Sequence, residues 1–222
     1  MAVIAIDAAE FCRGPEIADS LCERLASQRL ADERLVARAA ERLGVAPQKL
    51  HRVMYGPPSF FGTPRRERVR LVAALRAALA DEIGRDDRVY LGLAGHLLPT
   101  TVTSVLKVGL AAPHEWRLEQ ATATGLSRRD GERRIARDDE IRAEWTRLVA
   151  DRGPWDTSLY DVFVAVQETG VADTVEQLVE YARRPELTTT PAVEQAIRDF
   201  RLAAEVGLVL AEHGHDVDVA AR

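Results

Sequence analysis

The chain alternates two kinds of apolar pattern. Ala2-Val-Ile-Ala-Ile6 is a continuous apolar run that stops at Asp7, the pattern of a strand buried on both faces of a parallel sheet. Runs of the same kind recur at Arg88–Gly92, Val105–Leu110 and Val162–Val166. Between them the apolar positions take helical spacing. Ile17, Leu21 and Leu25 follow Pro15, which suits a first helical turn because its missing N–H has no partner there. Residues 30–56 read as helices: Leu35, Val36, Ala39 and Leu43 follow Asp32, read as an N-cap, and end at Gly44, with Ala46–Met54 next. Thr63 reads as the cap of a long amphipathic helix through Ile83, opened by Arg65 and Arg66, and Gly125 ends a helix over His114–Thr124. A charged helical segment then runs on through Ile141, Trp145 and Leu148, a stripe expected to pack inward. A last helix carries Val175, Leu178, Val179 and Tyr181, with Asp173 as its cap. Strand and helix in alternation predict an α/β fold, a three-layer sandwich with a mainly parallel sheet and helices on both faces. Ligands of such sheets bind at the carboxyl ends of the strands, where the loops at 8–16, 92–96 and 111–114 would gather.

Beyond the last helix, Pro185-Glu-Leu-Thr-Thr-Thr190 reads as a linker and Pro191 starts another helix through Ile197, Phe200, Ala203 and Val206. That helix is more apolar than a free tail, so it is expected to dock on the body of the chain or on another chain, as a homo-oligomer or with a protein partner. His213 and His215 have metal-like spacing without a third ligand, which favours a solvated tail. His96 likewise has no partner at ligand spacing and reads as a hydrogen-bonded structural histidine. The formal charge of −5 gives no general pull towards nucleic acid or an anionic membrane. The two cysteines, Cys12 and Cys22, form no CxxC pair and suggest neither a disulfide framework nor zinc, so a reducing cytoplasm is the expected setting. No signal peptide or membrane span is read.

Two stretches bear on chemistry. Gly131–Arg142 packs four arginines and two adjacent aspartates into one helical segment. Arg129, Arg133 and Arg137 fall on one side of it, and Arg134, Asp138 and Arg142 on a neighbouring side. Such interleaving suits a solvated, ion-paired helix; it also suits a lid whose guanidiniums grip phosphate oxygens in bidentate fashion. The second stretch, Ala8–Ile17, lies between a strand and a helix, the layout that presents backbone N–H groups to an anion. A phosphate loop reads GxxxxGK followed by Ser or Thr. Here Gly14 is the single glycine, Pro15 and Glu16 follow it, and Arg13 is the basic residue on hand. The motif fails. Phe60 and Phe61, in the loop Tyr55–Pro64, suit either stacking on a base or anchoring the loop.

Taken in order, LKVGLAAPHEWRLEQ (106–120), GLSRRDGERRIARDDEIRAEW (125–145) and WDTSLYDVFVAV (155–166) resemble the C-terminal half of the cytidylate-kinase-like family, a branch of the P-loop nucleoside monophosphate kinases. PEIADSLCERL (15–25), ERLVARAAERLGV (33–45), PPSFF (57–61) and VYLGLAGHLL (89–98) resemble its N-terminal half. The resemblance implies a domain over residues 1–184, with a helical nucleoside-monophosphate-binding insertion at about 30–85 and an arginine-rich lid at about 125–150, a linker at 185–190 and a helical segment at 191–222. Residues 200–220 resemble the opening helix and strand of a BON domain. It further implies transfer of a phosphoryl group from ATP, with Mg2+, to a nucleoside monophosphate such as CMP. Arg133, Arg137 and Asp138 take the catalytic roles in that reading, and Arg13, Gly14, Arg134 and Arg142 hold the nucleotide. The departures are Pro15 where the family places lysine or arginine, Phe11 and Arg13 where it places glycines, and Leu93 where it places an arginine. They raise an alternative: a pseudokinase that senses a nucleotide or docks a protein without turnover.

Overall fold

The computed structural model describes residues 3–56, 64–84 and 88–221. Ala2, Thr63, Phe60 and Phe61, named above, lie outside them. Five strands form one sheet: β1 (Val3–Ala8), β2 (Gln28–Ala31), β3 (Arg88–Leu91), β4 (Val105–Ala111) and β5 (Val162–Ala165). Their order is β2-β3-β1-β4-β5, and every neighbouring pair is parallel. The α/β architecture expected from the alternation is the one found.

β1 is buried along its length, and its residues serve two cores in turn. Val3 and Ala5 face the larger core, formed with α2 (Asp32–Leu43), α3 (Pro47–Tyr55), α4 (Arg65–Ile83), the buried part of α6 (Arg128–Ala150) and α9 (Pro191–Glu212). Ile4, Ile6 and Ala8 face the other, with α1 (Gly14–Leu25) and α8 (Val171–Ala182). The period of two along a strand, with both faces covered, produces the unbroken apolar run. α5 (His114–Ala123) precedes α6, and the one-turn α7 (Val166–Thr169) leads from β5 into α8. α9 docks on the body, with Phe200, Ala204 and Leu208 in the larger core and Arg201 paired with Asp81 of α4 at 2.9 Å.

Four readings of the pattern are corrected. The segment 28–31 is an edge strand, where only Leu30 is buried; four residues with one apolar anchor leave too weak an alternation to read. Asp32 is not a cap: Ala31 holds that position, and the Asp32 side chain turns into the protein. Asp173 lies inside the first turn of α8, whose cap is Gly170. Leu148 is 43% exposed, although Ile141 and Trp145 of the same stripe are buried. Gly44 does end α2, at φ +62°, a left-handed conformation that glycine takes without steric cost. Among the described residues no helix is long and apolar enough to cross a membrane.

Candidate functional site

The loop from β1 to α1 lies at the carboxyl edge of the sheet. Phe11 and Arg13, the residues standing where glycines were expected, have φ of +63° and +57°. The backbone thus keeps a shape glycine would adopt freely, against a cost of about 1–2 kcal/mol per residue. Gly14 has a separate reason to be glycine: a Cβ there would lie 2.5 Å from Ala8 Cβ, so its absence lets α1 close on β1. Pro15 removes one N–H from the helix start.

Three N–H groups of this loop are engaged from within. Ala9 N–H donates to Leu110 O at 2.9 Å and Cys12 N–H to Ala9 O at 3.0 Å. Glu10 N–H donates to Asp138 Oδ2 at 2.9 Å. That carboxylate comes from α6, which Ser127 caps by accepting the Asp130 N–H. The helix turns its 134/138/142 side towards the loop. Arg134 pairs with Glu10 at 2.6 Å, and its guanidinium carbon lies 5.2 Å from the Phe11 ring centroid. Arg142 Nε donates to Asp138 at 2.8 Å, and its Nη1 pairs with Asp7, the last polar residue of β1. Arg117 of α5 donates to Glu10 O at 2.9 Å and grips both oxygens of Asp139 at 2.8 and 3.0 Å. Its buried Nη2 has no hydrogen-bond partner.

Asp7 is also bonded on its other oxygen, 2.9 Å from His96 Nε2 and 2.8 Å from the Tyr160 hydroxyl. Burial alone would push its carboxyl up; the Arg142 guanidinium, with His96 and Tyr160, holds it below the usual carboxylate value. Burial disfavours the charged Arg142, and the attraction of Asp7 and Asp138 outweighs that and raises its pKa. Asp32 forms a second buried centre. It accepts the hydroxyls of Tyr55 and Tyr90 and the Leu93 N–H at 2.8 Å. Here burial wins, and the carboxyl is raised despite these three donors and the Ala94 N–H at 3.4 Å. Burial also pushes the Cys12 thiol up to about 12.

Loop, α2, β3 and α6 enclose a cleft of about 740 Å³. Among the described residues its walls carry five carboxylates (Glu10, Glu16, Asp32, Glu33, Asp138) and three guanidiniums (Arg13, Arg29, Arg142). Of the seven site residues named from sequence, Arg13, Asp138 and Arg142 line this cleft. Gly14 lies buried at the head of α1, and Arg134 is exposed and paired with Glu10 of the loop. Arg133 is exposed and paired with Asp130, and Arg137 is exposed. The sequence reading missed Asp7, Arg117, Tyr160 and the buried role of Asp32. Asp7 carried a signal, as the polar stop of the first apolar run, and Arg117 and Tyr160 stood inside stretches already noted. His96 has its hydrogen bond, to a residue far upstream.

A nucleoside triphosphate fits these residues poorly. One loop N–H is held by a carboxylate, the two buried arginines are already paired, and the cleft carries more acid than base. No group of three or more His, Cys, Asp or Glu among the described residues is placed to hold a metal ion.

A profile of the cytidylate kinase-like family matches residues 3–168. No curated protein matches the chain. Among solved structures, the chain is similar to an uncharacterized protein from Eubacterium ventriosum, with a TM-score of 0.62 at 11% identity over 83% of this chain and 100% of that one. It is more loosely similar to TT1252 from Thermus thermophilus, with a TM-score of 0.48 at 20% identity over 85% of this chain and 98% of that one. Shikimate kinase from Acinetobacter baumannii, in complex with shikimate, has a TM-score of 0.45 at 13% identity over 82% of this chain and 92% of that one. The first likeness supports the fold; nothing rests on the other two.

Proposed function

The chain belongs to the cytidylate kinase-like family, and on that premise we propose that it is a pseudokinase, a nucleotide-sensing module in which phosphoryl transfer is lost. The kinase-like nucleotide-binding fold is present. One observation carries the reading: Asp138 accepts the Glu10 N–H and the Arg142 Nε–H, so a carboxylate of the lid helix occupies donors that a phosphate would need. Phosphoryl transfer depends on positioning and charge neutralisation, and an internal anion at the loop supplies the wrong sign. The cleft keeps a volume suited to a nucleotide-sized ligand. Arg13 and Arg29, both with exposed carboxylate partners, are the cations of its walls that a single phosphate could recruit.

A second reading, an active CMP-type kinase, draws on the left-handed backbone at Phe11 and Arg13. It requires α6 to leave the loop, releasing the Glu10 N–H, Arg142 and Arg117 together. Isothermal titration with ATP plus Mg2+, then with CMP, followed by an ADP-release assay on the same sample, separates the two. Binding of CMP or ATP without ADP release is expected. ADP release dependent on CMP overturns the proposal in favour of the kinase, and absence of binding by either nucleotide removes the sensing role.

A further inference from the structure

A second cavity, of about 660 Å³, lies away from the cleft, between α4 and α9. We propose that it binds a small amphipathic anion, one carboxylate or similar group on an apolar body, with Arg68 as the charge anchor.

The α4 wall carries Arg65, Arg68, Val72 and Arg76, a spacing of three or four that sets them along one face of the helix. Facing them, α9 offers small residues, among them Ala203, Gly207 and Ala211, whose short side chains leave the space unfilled. The segment after α9 forms the outer wall. Its Asp216 pairs with Arg65 at 2.6 Å and its Asp218 with Arg76 at 3.3 Å. Both are exposed pairs, of a kind that contributes little, so this wall can yield to an entering ligand.

Arg68 has no such partner. Among the described residues no carboxylate pairs with it, and its buried Nε makes no hydrogen bond. A half-buried guanidinium in a cavity wall that no carboxylate neutralises is a place for an anion, which its fork can grip. Three guanidiniums against two aspartates leave this cavity with a cationic excess, in a chain whose net charge is −5. The rest of the lining sets the remainder of the ligand: Leu148 and Val217 are 43% and 57% exposed beside it, apolar surface that an aliphatic or aromatic body would cover. A Cβ built on Gly207 would meet only Val219, at 3.9 Å, so the space beside α9 is open.

Octanoate is the probe, titrated calorimetrically into the full chain, with 1-octanol and octylammonium as controls of equal apolar length. Octanoate is expected to bind at least about tenfold more tightly than either control, the value of one charge-assisted hydrogen bond. Arg68→Gln should remove about that factor, while Arg68→Lys, which keeps the charge, should retain most of the affinity. Gly207→Leu fills the cavity from a helix that tolerates leucine, and it should abolish octanoate binding with the far-UV circular dichroism unchanged. Equal binding of octanoate and octanol overturns the proposal, as does full affinity in Arg68→Gln or in Gly207→Leu.

Discussion

Arg142→Met tests whether the buried ion network holds α6 to the sheet. Arg142 and Asp7 are both buried, and methionine replaces the guanidinium with an apolar chain of similar reach. The change leaves Asp7 with His96 and Tyr160 alone, whereas Asp138 is partly exposed and keeps the Glu10 N–H. Removing one partner of a buried pair costs about 3–5 kcal/mol, a large share of a domain's stability. The pH dependence supplies the sign. In the parent protein the Asp7 carboxyl is depressed, so its stabilisation is present above the unfolded value and is lost only as pH falls through the folded value, below about 4. In the variant, burial acts without the guanidinium and raises the carboxyl above that reference. Its destabilisation is then greatest at neutral pH and is relieved by protonation. His96, 2.9 Å from Asp7, is common to both proteins; Tyr160 stays neutral, its hydroxyl raised by burial and by Asp7. Lys107, which lines the small void beside Asp7, is lowered by burial and is common to both proteins. Asp32, raised in both, cancels in the difference. Urea unfolding at pH 7.5 and 5.0 should therefore show a gap of about 3–5 kcal/mol at the higher pH that narrows at the lower by up to about 1.4 kcal/mol per pH unit. A gap below about 1 kcal/mol at pH 7.5, or one that widens on acidification, would refute the network's role.

Gly14→Ala drives a Cβ to 2.5 Å from that of Ala8, and it should lower stability by about 1–3 kcal/mol, read as a drop in thermal midpoint. Tyr55→Phe removes one of the donors to buried Asp32 and should cost about 1–3 kcal/mol by chemical denaturation; a neutral result would mean the carboxyl is satisfied without it. Cys12, buried and with its thiol pushed up to about 12, should resist iodoacetamide at pH 8 in the folded chain and react once urea unfolds it. Asp138→Asn keeps an acceptor for the Glu10 N–H without the charge, and calorimetry should show CMP binding at least about tenfold tighter than in the parent.

What could be read in the sequence was whatever repeats at short range. The runs of β1, β3 and β4 became strands buried within the sheet, whereas β2 and β5 are both edge strands with one buried residue each. The stretch 162–166 is unbroken apolar sequence and could be read, and 28–31, which opens with Gln28 and Arg29, could not. Helical arithmetic separated Arg129, Arg133 and Arg137 from Arg134, Asp138 and Arg142. It could not say which side turns inward, since the partners that decide it, Glu10 and Asp7, lie more than a hundred residues away along the chain. Asp32 misled for a related reason. A capping residue and a buried acceptor look alike until Tyr55, Tyr90 and the Leu93 N–H are brought round it by β3 and α3. The departures at Phe11 and Arg13 were visible as lost glycines, but their left-handed backbone was not.

Those two departures and the Asp138 contact bear on function together. A loop that keeps a strained shape at two non-glycine residues is being held there, and the groups that hold it are Asp138 on the Glu10 N–H, Arg117 on the Glu10 carbonyl and Arg134 over Phe11. A phosphate entering the loop would exchange one acceptor for another at Glu10, which changes little in hydrogen bonding. The displaced carboxylate would remain nearby, in a wall that already carries four other carboxylates. Two like charges about 4 Å apart at an effective dielectric of 20 repel by about 4 kcal/mol, roughly a thousandfold in affinity. The Asp138 contact, one of those that stabilise the loop's shape, is therefore also the one that opposes a phosphate within it. Under the pseudokinase proposal that opposition is tolerated, because the fold's stability then depends on α6 staying in place.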